Sequence, residues 1–156
     1  MSDQAFLDEA IALARDNVQA GGRPFGAVLV KDGKIIARAV NRISADNDPT
    51  AHAELLALRE AGRVLGNARL DGCAVYASGQ PCPMCLAAMR MAGITQIAFA
   101  YSNEDGARFG LSTAGIAAEL SQPLSAQDWA QIRHLPRPDR DDPPLYRQWA
   151  DRPAGQ

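Results

Sequence analysis

Two short segments carry residue types suited to metal-assisted hydrolysis: His52-Ala53-Glu54 and, thirty residues further on, Cys82-Pro83-Met84-Cys85. Zinc takes thiolates and imidazole in a tetrahedral set, and a catalytic zinc keeps one position for water. Cysteines at i and i+3 in the first turn of a helix share one side of it. Free backbone N–H groups and the positive end of the helix dipole lie there and favour thiolates. His52 then supplies a third ligand from the start of the preceding helix. Glu54 stands about 200° around an ideal helix from His52, so both reach one point only at a helix end. A carboxylate at that point suits proton transfer to and from an activated water better than ligation of a metal already holding two thiolates.

Other roles exist for each residue. Cys-x-x-Cys serves redox proteins and structural zinc sites, but no further redox cue accompanies it. A structural zinc needs a fourth protein ligand, and Cys73 and His134 are the remaining soft candidates. Cys73 lies in an apolar, β-rich stretch and is expected in the core. His134 adjoins a Pro-rich connector and is expected at the surface.

The elements that must position these groups are legible in the hydropathy pattern. Residues 3–20 have helical spacing, with Asp3 as a cap and Gly21-Gly22 as the stop. Residues 25–30 and 35–40 form strands around a Lys31-Asp-Gly-Lys34 turn. A loop covers 44–50, and Thr50 caps a helix from Ala51 to Arg63. A strand over 73–78, a helix from Pro83 to Met91 and a strand over 94–101 complete the core order, with the later strands parallel. The strands preceding the His and Cys helices are expected as neighbours, so both helix starts emerge on one sheet edge. A short helix is expected over 112–120. Residues 127–135 suit a strand or a helix, 136–144 a stiff connector, and 145–150 a final helix anchored by Tyr146 and Trp149; the last residues fray.

With 156 residues, 47% hydrophobic and 22% charged, the chain has the composition of one folded soluble domain, residues 1–156. No apolar run is long enough to span a bilayer and Met1-Ser2-Asp3-Gln4 is not basic, so the expected location is the cytoplasm. A net charge of −2 weighs against a polynucleotide substrate.

The pairing of His52-Ala-Glu54 with Pro81-Cys-Pro-Met-Cys85 resembles the cytidine/deoxycytidylate deaminase superfamily. Pro24-Phe-Gly-Ala-Val-Leu-Val30, Asn41 and Asp48-Pro-Thr-Ala-His-Ala-Glu54 extend the likeness toward its bacterial guanine deaminase-like branch, related to tRNA adenosine deaminases. That resemblance implies a three-layer α/β/α fold with a five-stranded mixed sheet, a homodimer, and one Zn²⁺ per subunit on His52, Cys82 and Cys85, with Glu54 catalytic. It places Asn41 on the base, Phe25 against the ring and the Ala53 backbone N–H beside the substrate. Core packing is the other role open to Phe25, and a turn position the other open to Asn41. The implied reaction is hydrolytic deamination of a small-molecule nucleobase, guanine first. Alternatives are another aminopurine, isocytosine or an aminotriazine, or adenosine in tRNA. Gln80 departs from the family's usual glutamate, and Glu104, Asp105 and Glu119 are the candidates for an acid that reads the ring.

Overall fold

The computed structural model describes residues 1–154; the fraying expected of the last residues falls partly on 155 and 156, outside the described residues. The chain divides into two compact units, Met1–Ser121 and Gln122–Gln156.

The first unit opens with α1 (Asp3–Gln19), followed by the hairpin β1 (Gly26–Lys31) and β2 (Lys34–Val40). Ser2, one residue before the expected cap, closes the start of α1 by accepting from Ala5 N at 3.2 Å. Asp3 is already helical and instead accepts from the Tyr76 hydroxyl at 2.6 Å. The hairpin turns at Asp32 (φ 49°) and Gly33 (φ 71°), the left-handed pair that matches the twist of the flanking strands. After α2 (Ile43–Asp46) come α3 (Ala53–Leu65), β3 (Cys73–Gly79), α4 (Pro83–Ala92), β4 (Gln96–Tyr101), α5 (Asn103–Gly106) and α6 (Ala114–Leu120). The short α2 sits where a plain loop was expected. Its Arg42–Asp46 pair at 2.8 Å braces a single turn.

The sheet has four strands in the order β2-β1-β3-β4, not five. β1 is antiparallel to both β2 and β3, while β3 and β4 are parallel across α4. The strands before α3 and α4 are therefore not neighbours, because β1 lies between them. They still run in the same direction, which brings the starts of both helices to one sheet edge. Residues 127–135 form neither strand nor helix and have no ladder partner among the described residues. A strand exists only where its N–H and C=O groups meet a neighbour's.

Alternation along the buried strands divides the core into two layers. Ala27 and Leu29 of β1 and Cys73 and Val75 of β3 pack with Ala57, Leu58 and Ala61 of α3 and Met89 of α4. Val28, Val30, Ala74 and Tyr76 pack on the other side against Phe6 of α1. The helix and strand meet most closely at Gly26, where an added Cβ would lie 2.4 Å from the Ala10 carbonyl oxygen and 2.8 Å from Ala14 N. Both atoms are backbone and cannot rotate away. Gly26→Ala is expected to cost about 3 kcal/mol, the upper range for overpacking, measured as a lower urea midpoint at unchanged slope.

In the second unit the described residues contain one 3₁₀ turn (Leu124–Ala126) and α7 (Pro144–Ala150). Tyr146 and Trp149, expected as anchors, are exposed.

Candidate active site

The site forms where β2 and β3 deliver the chain to α3 and α4. Asp48 Oδ1 accepts from Thr50 N at 2.8 Å and Thr50 Oγ1 at 2.7 Å, holding the approach to α3 in an Asx turn. Thr50 is thereby used before the helix starts, and the cap position falls to His52, with φ −74° and ψ 150°. Cys82 holds the same position on α4, with φ −70° and ψ 166° and Pro83 in the first turn. Because His52 precedes its helix in extended backbone, the ideal-helix angle between it and Glu54 does not apply. The imidazole and the carboxylate can converge.

They do converge. Cys82 Sγ and Cys85 Sγ each lie 3.5 Å from His52 Nδ1. The ligand atoms of all three residues fall within 4.8 Å of one another. Bonds of about 2.3 Å to sulfur and 2.1 Å to nitrogen in a tetrahedron require ligand atoms roughly 3.6 Å apart. The two sulfur–nitrogen distances match that edge, and the trio is compatible with one zinc. Glu54 Oε2 is 3.7 Å from Cys85 Sγ, beside the metal ligands.

The electrostatics follow from crowding and burial. Hydrogen bonding from Cys85, then from His52, pushes Cys82 down to about 4, while the Cys85 thiol is held up by Cys82 and by burial. His52 is raised by its hydrogen bond to Cys82. Glu54, 7% exposed, is pushed up by burial. Burial thus shifts this carboxyl in the direction that favours accepting a proton.

These groups open into a cavity of about 240 Å³. His52, Glu54 and Cys82 line it together with Phe25 and Asn41, and Arg23, Ile43, Gln80, Leu111 and Thr113 complete its wall. Phe25 lines the cavity and also packs against the core. Asn41 likewise lines the cavity and holds a turn position. It is 5% exposed, and its Oδ1 accepts from Ile43 N at 3.1 Å in a turn, which leaves its NH₂ group for the cavity. Ala53 is fully buried as the first residue of α3, so its N–H has no intrahelical carbonyl to meet.

The outer wall is a polar relay. Gln80 Oε1 accepts from Asn103 N at 2.9 Å, and Asn103 Oδ1 accepts from Thr113 N at 3.2 Å. An amide oxygen accepts that N–H as a carboxylate would, so Gln80 can serve at the position where the resemblance implies glutamate. Glu104, Asp105 and Glu119 do not line the cavity, and Asp105 is occupied in capping α5 through Ser102. Cys73 is buried in the core as expected, and His134 is exposed in the second unit. Arg23, Ile43, Leu111 and Thr113 were not marked by residue type. Arg23 adjoins the Pro24-Phe25 segment, but nothing local announces that residues 111 and 113 return to a site thirty residues away.

Comparison with known proteins agrees with this geometry. The family described as "Cytidine and deoxycytidylate deaminase zinc-binding region" matches residues 1–101. A guanine deaminase of Bacillus subtilis is 46% identical over 124 residues, covering 79% of this chain and 80% of the relative. A tRNA-specific adenosine deaminase of Agrobacterium fabrum is 40% identical over 134 residues, covering 81% and 88%. The X-ray structure of guanine deaminase from Bacillus subtilis superposes with a TM-score of 0.91 at 37% identity, covering 100% of this chain and 98% of that one. Sequence, fold and ligand geometry agree: the chain belongs to the cytidine and deoxycytidylate deaminase family of zinc enzymes.

Proposed function

We propose that the protein hydrolyses the exocyclic amino group of a free nucleobase, converting guanine and water to xanthine and ammonia. The observation that carries this reading is a buried Glu54 beside a three-ligand metal set, both lining a cavity of about 240 Å³. That volume lies below the roughly 300 Å³ at which sites for drug-sized ligands begin, and suits one planar ring system. The relatives add a guanine deaminase that matches most of this chain.

When bound to His52, Cys82 and Cys85, zinc lowers the pKa of a water molecule and so supplies a nucleophile at neutral pH. Glu54 takes the proton released as a C–O bond forms at the amino-bearing carbon, C2 in guanine. It passes that proton to the ring nitrogen, then takes the proton of the new hydroxyl as the carbonyl forms and gives it to the departing amine. The C–N bond breaks, ammonia leaves and the carbon keeps a carbonyl oxygen. Phe25 offers a face for the ring. The free NH₂ of Asn41 and the Ala53 N–H offer donors to its acceptors.

The reading extends to one zinc per subunit, a homodimer and a cytoplasmic location. No helix among the described residues is long and apolar enough to cross a membrane. The edge strand β4 and the adjoining α4 leave Phe99, Leu86 and Met91 exposed, surface suited to a second subunit.

An ammonia-release screen of zinc-loaded protein over guanine, adenine, cytosine, isocytosine, ammeline and the nucleosides tests it. Guanine is expected to turn over fastest. Turnover of another ring with guanine inert overturns the substrate and keeps the chemistry. Salt-sensitive tRNA retention on filters, with inosine formed, favours the tRNA reading suggested by the Agrobacterium relative instead.

A further inference from the structure

Asn17 lies in the last turn of α1, on the opposite side of the sheet from the metal ligands' helices, and is not part of the cavity. Yet its side-chain amide ends between the two segments that form the cavity's rim. Nδ2 donates to the carbonyl of Arg23 at 2.7 Å and to the carbonyl of Asn41 at 3.0 Å. Arg23 and Asn41 belong to different stretches, the loop entering β1 and the exit from β2, and both line the cavity. Strand pairing ends at this point, with Gly26 opposite Val40. One further backbone bond follows, Asn41 N to the Phe25 carbonyl at 3.0 Å. Beyond it the ladder offers the Asn41 carbonyl no partner and the Arg23 carbonyl accepts only from Phe25 N within its own loop, at 2.8 Å; the Asn17 amide is the group that bonds both and so ties the two segments together.

The fit around that amide is close. Gly22 N donates to the Asn17 carbonyl at 2.7 Å. A Cβ at Gly22 would meet Asn17 Nδ2 at 2.6 Å and Oδ1 at 2.7 Å. A side chain at position 22 would therefore push the asparagine amide out of its place. Two donors on one short, planar group are required. Aspartate has the shape but is acceptor-only, and would set a carboxylate against two carbonyl oxygens.

We propose that Asn17 is a positioning residue for the base: it holds Arg23 and Asn41 at the spacing at which their side chains meet the ring. Arg23 carries only donors, and Asn41, which lines the cavity, has its oxygen committed to Ile43 N and its NH₂ left to offer. The rim set by Asn17 therefore presents donors to ring nitrogens and carbonyl oxygens of the substrate. The inference rests on the base-deaminase reading above, and concerns binding rather than the proton-transfer step.

Steady-state kinetics with guanine on Asn17→Ala, Asn17→Asp and Gly22→Ala test it, alongside zinc content. KM is expected to rise at least 10-fold in each, with kcat within about 3-fold of the parent and one zinc per chain retained. Gly22→Ala leaves the amide in the sequence but drives a methyl group into it, so it repeats the experiment should the Asn17 variants fail to fold. Asn17→Ala is expected to cost less in the Asn41→Ala background than alone, because part of its effect acts through the Asn41 side chain and the rest through Arg23. An unchanged KM, a loss confined to kcat, or full multiplication of the two effects overturns the proposal. If guanine is inert in the parent, the substrate assignment has failed, and the same KM comparison is made with the ring found by the ammonia screen.

Discussion

Glu54→Gln is expected to lower kcat about 10³- to 10⁴-fold while zinc stays at one per chain and KM changes little. The size follows from the role: a positioned acid–base group contributes on the order of 10²- to 10⁴-fold, and here the same group serves more than one proton transfer. The split follows from place. Glu54 lies 3.7 Å from Cys85 Sγ, near the ligands but outside the set of three. Glutamine keeps the volume and the acceptor oxygen while removing the ability to carry a proton. It also replaces a carboxyl that burial already disfavours in its charged form, so folding should not suffer. Kinetics and metal analysis on one preparation decide the matter. Loss of zinc together with activity would make Glu54 a ligand or a structural group; retained turnover would remove it from the mechanism.

Removing the metal is expected to have the second large effect, on stability as well as rate. Cys85 is fully buried and Cys82 is 8% exposed, so the two sulfurs sit inside the core layer with Ala53, Ala57 and Met89. Without a metal this cluster is mismatched, with one sulfur pushed toward thiolate and the other held protonated in the same buried space. Zinc binds the folded arrangement, and at free metal about a thousandfold above Kd the native state gains about 4 kcal/mol. For a chain of this length that corresponds to a fall of roughly 10 °C in Tm on chelation, with activity lost and then recovered on adding zinc. Cys85→Ala is expected to bind no zinc and to show no response to chelator. A Tm indifferent to chelation in the parent protein would sink the assignment of these three residues as ligands.

The metal set was legible because its information is local. His-x-Glu and Cys-x-x-Cys each require a helix start, and both starts are marked by turn and proline chemistry a few residues away. Phe25 and Asn41 could be named but not assigned. Whether an aromatic at a strand start packs or stacks depends on what lies opposite, and the structure shows Phe25 facing both the core and the cavity. The cap of α3 was misplaced by two residues for a similar reason. Thr50 is a good cap in isolation, but Asp48 already holds its N–H and hydroxyl.

Strand count shows the limit most directly. The resemblance implies five strands and the described sheet has four, ending at β2 and β4; residues 127–135, whose composition permits a strand or a helix, form neither, because pairing is a property of the neighbour. The same holds for the rim. No pattern within residues 3–19 marks Asn17 as different from other polar positions on an amphipathic helix. Its importance arises only when carbonyls 23 and 41 arrive at its amide. By itself the sequence determined the chemistry, since ligand types, their spacing and the helix starts that expose them are encoded within a few residues of each other. Tertiary structure alone decided strand count, the wall returning through Leu111 and Thr113, and the residues that set the binding rim, because each depends on groups far apart in the chain meeting at hydrogen-bond distance.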